Sequence, residues 1–141
     1  MTHALRVEEG SEAFRSLLVA VREQGERVGW LELDAAARPD AAASAAAGAI
    51  GRILEDGAWK AVVVEEGRSV AVKIRRGPPV LRDLLREHFR GCRVVLVRGD
   101  LALPTLRRRG ADWDLEGLDG EVRRLGTMDL VRALRAPRLP L

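Results

Sequence analysis

Trp59-Lys-Ala-Val-Val-Val-Glu-Glu-Gly-Arg-Ser-Val-Ala-Val-Lys-Ile-Arg75 is the stretch on which the fold reading turns. Two runs rich in β-branched residues flank Glu66-Gly67, and glycine supplies the positive φ that a tight hairpin turn demands. The spacing predicts antiparallel strands over 59–65 and 69–75. In the second, alternation sets Val70, Val72 and Ile74 on one face, expected to meet the core, and Ala71, Lys73 and Arg75 on the other.

Upstream of the hairpin, Asp40 follows Pro39 and can cap a helix to about residue 56, with Ala43, Ala46, Ala47, Ile50 and Leu54 as its apolar stripe and Gly57 as its stop. Before it, Val28-Gly-Trp-Leu-Glu-Leu-Asp34 reads as a strand. Its alternation places Leu31 and Leu33 on one face and Trp30, Glu32 and Asp34 on the other. Earlier still, Ser11 can cap an amphipathic helix in which Phe14, Leu17, Leu18 and Val21 recur at i, i+3, i+4 and i+7. Downstream, Pro78-Pro79 opens a third helix with Leu81, Leu84, Leu85 and His88 on its inner face. Gly91 stops it, and Arg93-Val-Val-Leu-Val-Arg98 reads as a further strand.

From residue 28 the order is therefore β-α-β-β-α-β, the split βαβ arrangement of ferredoxin-like sheets. Right-handed crossovers then place both helices on one face and leave the other open. The expectation is an α+β two-layer sandwich with a ferredoxin-like βαββαβ core (28–100), a four-stranded sheet and helices on one face. An N-terminal helix (1–27) precedes it. A C-terminal helical arm (101–141) follows, with short helices over 101–109 and 128–135, all within one domain.

Composition narrows the function classes. A chain of 141 residues, 47% apolar and 32% charged, is long enough for one core and too apolar to stay disordered. No stretch approaches the ~20 apolar residues of a membrane span. One cysteine, Cys92, excludes an internal disulfide and a multi-cysteine metal site, so a cytoplasmic protein without membrane contact is expected. The pI of about 9.9 hides an asymmetry. Residues 1–70 carry eight basic and twelve acidic side chains, net −4, and residues 71–141 carry sixteen and nine, net +7. Only Lys60 and Lys73 are lysines, a bias that GC-rich codons also produce.

Two surfaces are candidates for binding. If strands 28–34 and 69–75 are neighbours, their open faces join Trp30, Glu32, Asp34, Lys73 and Arg75 in one patch for a protein partner. Only Trp30 offers a base a stacking platform there, and the two carboxylates repel phosphate. The alternative is a nucleic-acid surface built from Arg75, Arg76, Arg82, Arg86, Arg90, Arg107, Arg108 and Arg109. Asp83 and Glu87 interleave with that stripe, as on any solvated helix.

Chemistry is harder to place. Asp112-Trp-Asp-Leu-Glu-Gly117 starts like a calcium loop, but Asp119 and Arg123 occupy the positions where an apolar residue and a bidentate glutamate belong. His88 and Cys92 are four apart, yet Gly91 ends the helix between them. His3 sits in a terminus expected to be loose. Gly48-Ala-Ile-Gly51 lacks the lysine and hydroxyl of a phosphate loop. No catalytic residue, metal or cofactor is assigned. The expected function is a non-catalytic regulatory or assembly module that binds a protein partner and self-associates as a homo-oligomer.

Overall fold

The computed structural model describes residues 2–33, 45–73, 75 and 77–141. The chain divides into two compact units, residues 38–80 and the rest.

The larger unit is built on Val94-Val-Leu-Val97, four consecutive residues buried on both sides of a sheet. Such a run belongs in the middle of a parallel sheet covered on both faces. It forms β5 (Val94–Arg98). In register along its full length lie β1 (His3–Val7) on one side and β2 (Val28–Glu32) on the other, both parallel to it. The connection from β1 to β2 carries a 3-10 turn, Ser11–Phe14, and α1 (Arg15–Glu23). The return from β2 to β5 ends in α3 (Leu81–His88). These connections run in opposite directions across the sheet, so right-handed crossovers place α1 and α3 on opposite faces. Trp30 and Gly29 show both sides. The Trp30 ring meets Phe14 at 5.8 Å between centroids, whereas a Cβ on Gly29, projecting the other way, would sit 2.3 Å from Phe89 Cδ1 just past α3.

Three antiparallel strands complete a six-stranded sheet of order β2-β5-β1-β6-β7-β8. They are β6 (Thr105–Arg109), β7 (Asp112–Glu116) and β8 (Val122–Gly126). Only Arg6 and Thr105 pair β1 with β6, and the Arg6 N–H donates to the Pro104 carbonyl at 2.8 Å. Because β6 starts where β1 ends, residues 99–104 step over that end and no return helix is needed. The meander turns inward Leu106, Trp113 and Leu115. These join Leu5, Val7, Val94 and Leu96 beneath α1 and α4 (Thr127–Arg135) in one core. Fully burying each of these leucines and valines is worth about 1.5–3 kcal/mol. His3 is buried and its Nε2–H donates to the Ala136 carbonyl at 2.7 Å, tying the start of β1 to the end of α4.

The smaller unit holds α2 (Ala45–Glu55) against a two-stranded sheet of β3 (Lys60–Glu65) and β4 (Arg68–Lys73). The hairpin is as expected. Pairs run from Lys60 and Lys73 to Glu65 and Arg68, closed by Glu66-Gly67 with Gly67 at φ +80°.

The four-stranded ferredoxin-like sandwich is overturned. Strands 28–32 and 94–98 belong to the six-stranded mixed sheet, while the hairpin forms a separate sheet. The terminus expected to be loose is a central strand. The supposed helix over 101–109 is a loop followed by β6, so the arm is a sheet meander that ends in α4. The open face does not exist at β5, because Val95 and Val97 are as buried as Val94 and Leu96. Among the described residues no helix is long and apolar enough to cross a membrane.

Candidate partner-binding site

The strands expected to share one open face are not neighbours in a sheet. Trp30 and Glu32 lie on β2, whose sheet neighbour is β5, and Lys73 lies on β4 of the other sheet. Arg75 is exposed beyond β4, and Asp34 lies outside the described residues. The expected facing of β2 is also reversed, since Trp30 packs against the main core. Its Nε1–H donates to Glu32 Oε1 at 2.8 Å, and Arg98 approaches the same carboxylate at 3.7 Å. Glu32 is thus already satisfied within its own sheet.

The arginine stripe is likewise dispersed. Arg82 and Arg86 lie on α3, but Arg90 falls beyond its end, and Arg76 is outside the described residues. Arg86 pairs with Asp83 at 2.9 Å. On the solvent face of the meander, Arg107 pairs with Glu116 and Glu8, and Arg109 with Asp114 at 2.7 Å. Arg108 Nε donates to the Gly110 carbonyl. The acids read as a loop, Asp112, Asp114 and Glu116, share one face of β7: Asp112 stands opposite Arg109, Asp114 lies between Arg107 and Arg124, and Glu116, opposite Thr105, reaches Arg107 diagonally.

Asp114 is the centre of this ladder. Its side chain is only 8% exposed and accepts from Arg124 as well as Arg109. The hydrogen bond from Arg124 foremost, opposed by burial and reinforced by Arg109, holds its carboxyl below the ordinary value of 3.8. A lowered folded-state pKa contributes stability above that ordinary value, and the contribution fades as pH falls through the lowered one. Asp114→Asn is therefore expected to cost about 1 kcal/mol near pH 7, a modest figure because both guanidinium groups remain hydrated. Urea unfolding at a series of pH values checks this, the gap from the unsubstituted chain closing below about pH 4.

The pair weighed for nucleophilic chemistry stays apart in character. His88, expected on the inner face, is exposed at the end of α3, while Cys92 is half-buried ahead of β5. Among the described residues no three His, Cys, Asp or Glu side chains are grouped to hold a metal ion.

Exposed apolar surface instead gathers in the smaller unit. On β3 the valines divide by parity. Ala61 is buried and Val63 half-buried, whereas Val62 is 53% and Val64 78% exposed. On the same outer face Lys73 Nζ stands 5.5 Å from the centre of the Trp59 ring, which is itself 63% exposed. Val72, expected in the core, is 38% exposed, and Ile74 lies outside the described residues. Among the described residues, β3 and β4 each pair with one strand only, so each leaves one edge without a strand partner. An apolar edge strand, its charges confined to Lys60 and Glu65 at the ends, invites another strand.

The hairpin's sequence marks these strands but not this surface, because alternation does not say which of two valine faces a helix covers. The lone clue was that both faces of β3 carry valine.

Fold and site define an α/β protein with a second αββ unit, in which Val62 and Val64 on one face of the hairpin are exposed among the described residues. No protein-family model matches the chain, and no curated protein matches its sequence.

Proposed function

We propose that this chain is a non-catalytic assembly module whose α2-β3-β4 unit binds a protein partner, and that the partner is a second copy of the same chain. One observation carries the reading: β3 has an edge with no strand beside it, among the described residues, and exposed valines along it. An isolated two-stranded hairpin is marginal in water, and further strands strengthen it.

Charge favours a copy of β3 over β4. Two antiparallel β3 strands related by a two-fold axis normal to the sheet pair residues of equal parity. Centred on Val63, that pairing sets Val62 opposite Val64 of the other copy and brings Lys60 beside Glu66. The charged residues of β4, Arg68 and Lys73, are both cationic and differ in parity, so a β4 pairing sets no opposite charges against each other. The lone cysteine fits a reducing compartment, the cytoplasm, as the place of assembly. The nucleic-acid alternative draws little support, since Arg86, Arg107 and Arg109 are already paired with acids.

Sedimentation equilibrium tests the proposal. The unsubstituted chain is expected to pass from monomer to dimer as concentration rises. Val62→Lys with Val64→Lys places like charges opposite each other twice and is expected to raise the dimer Kd at least tenfold. Val62→Lys with Val64→Glu restores opposite charges at both pairs and is expected to dimerise. A chain monomeric at all concentrations, or two double variants that behave alike, refutes the arrangement.

A further inference from the structure

A second binding feature lies in the larger unit and does not depend on the dimer. Along one flank of α1, Arg15, Leu18, Val19 and Arg22 recur at i, i+3, i+4 and i+7, beside the face that buries Leu17 and Val21. That flank and the start of edge strand β2 enclose a groove of about 520 Å³, within the size range of small-molecule sites. Leu18, Val19 and Val28 give it an apolar lining, and Arg15, Arg22 and Arg27 supply its charge.

The charge is unbalanced. Arg15, Arg22 and Arg27 make no ion pair with a described residue. Glu26 is the one carboxylate in the lining, and it is engaged elsewhere: Arg135 Nε is 3.4 Å from its Oε1 and Arg93 Nε 4.0 Å. Arg93 Nε is buried and makes no hydrogen bond, in the wall of a smaller cleft that shares Glu26 and Cys92 with the groove. An apolar trough bordered by three arginines that pair with no described carboxylate complements a ligand that is apolar along its body and negative at one end. Guanidinium groups bind carboxylates through paired, charge-assisted hydrogen bonds.

We propose that this groove binds a small amphipathic anion, an unbranched or cyclic hydrocarbon body bearing one carboxylate. Cys92, the chain's single cysteine, lines the groove and is half-buried, so it reports occupancy from within.

The test follows alkylation of Cys92 by iodoacetamide in the full chain, with decanoate as the probe and decanol as its uncharged counterpart. Decanoate is expected to slow the reaction saturably, at least fivefold, while decanol at equal concentration leaves it within twofold. Arg22→Ala with Arg27→Ala, at exposed positions, is expected to shift the decanoate midpoint upward at least tenfold with unchanged circular dichroism. No slowing by decanoate, equal slowing by decanol, or an unshifted midpoint in the arginine variant overturns the proposal. So does slowing that tracks the chain's own concentration without decanoate, which assigns the groove to a second copy. Val62→Lys with Val64→Lys is expected to keep the decanoate response, separating this site from the dimer surface.

Discussion

Trp113→Ala is expected to destabilise the larger unit by about 3–5 kcal/mol, the largest effect of any single substitution considered. The indole is fully buried on β7 and stacks on Phe14 with centroids 5.6 Å apart. Its Nε1–H donates to Thr127 Oγ1 at 3.0 Å, at the first residue of α4. One side chain thus joins the meander, the 3-10 turn before α1, and the start of the last helix. Truncation removes the transfer free energy of the ring and leaves a cavity that three separate elements must collapse into. Trp113→Phe keeps the stacking but loses the N–H, and the expected cost falls to about 1–2 kcal/mol. Urea unfolding followed by far-ultraviolet circular dichroism, read at constant m-value, checks both figures.

Gly29→Val is expected to cost about 2–3 kcal/mol through overpacking. An added Cβ would lie 2.3 Å from Phe89 Cδ1, 2.8 Å from Phe89 Cε1 and 3.1 Å from Val95 Cγ2, so the ring must leave the sheet. Glycine at this position in the edge strand is what lets Phe89 lie against β2 on the face opposite Trp30. Phe89→Ala should therefore relieve the clash. The double variant is expected to be less destabilised than the sum of its singles by more than about 0.5 kcal/mol, the mark of residues in contact. Strict additivity in the same unfolding assay would mean that Phe89 does not occupy that face.

The hairpin was legible because its signal is local: two alternating runs and a glycine that the turn requires. The first and last helices were legible for the same reason, from Phe14, Leu17 and Val21 in one and from Thr127 ahead of Met128 and Pro137 beyond Arg135 in the other. The sheet's connectivity was not local. Val94-Val-Leu-Val97 carried the decisive hint, since four apolar residues in succession need cover on both faces and a strand on each side, which a sandwich with an open face does not provide. Taking that run at face value would have called for one more parallel strand, and His3-Ala-Leu-Arg-Val7 is the alternating stretch that fills the place. The meander was hidden by its charges. Arg107 and Arg109 look like a basic cluster, and Asp112 and Asp114 like the start of an acidic loop, until they are set opposite one another across a turn at Gly110-Ala111.

The candidate site was less legible than the fold. Trp30 and Glu32 were singled out as a surface pair and proved to be core and ion-pair residues of one strand. Val62 and Val64 give no sign of their exposure in the sequence, because valine in a strand reads as core. Arg15, Arg22 and Arg27 were scattered among twenty-two arginines, and only the packing of α1 against the first strands of the sheet shows which of them share a trough.

The central claim is that β3 is the edge at which two copies join. Hydrogen exchange at dilute and concentrated protein tests it most directly, because amides on an unpaired strand edge exchange freely and those in a ladder do not. Protection across Lys60–Glu65 is expected to rise with concentration while β5 and the meander stay unchanged. Exchange across 60–65 that is identical at both concentrations, or a rise confined to other segments, would contradict it.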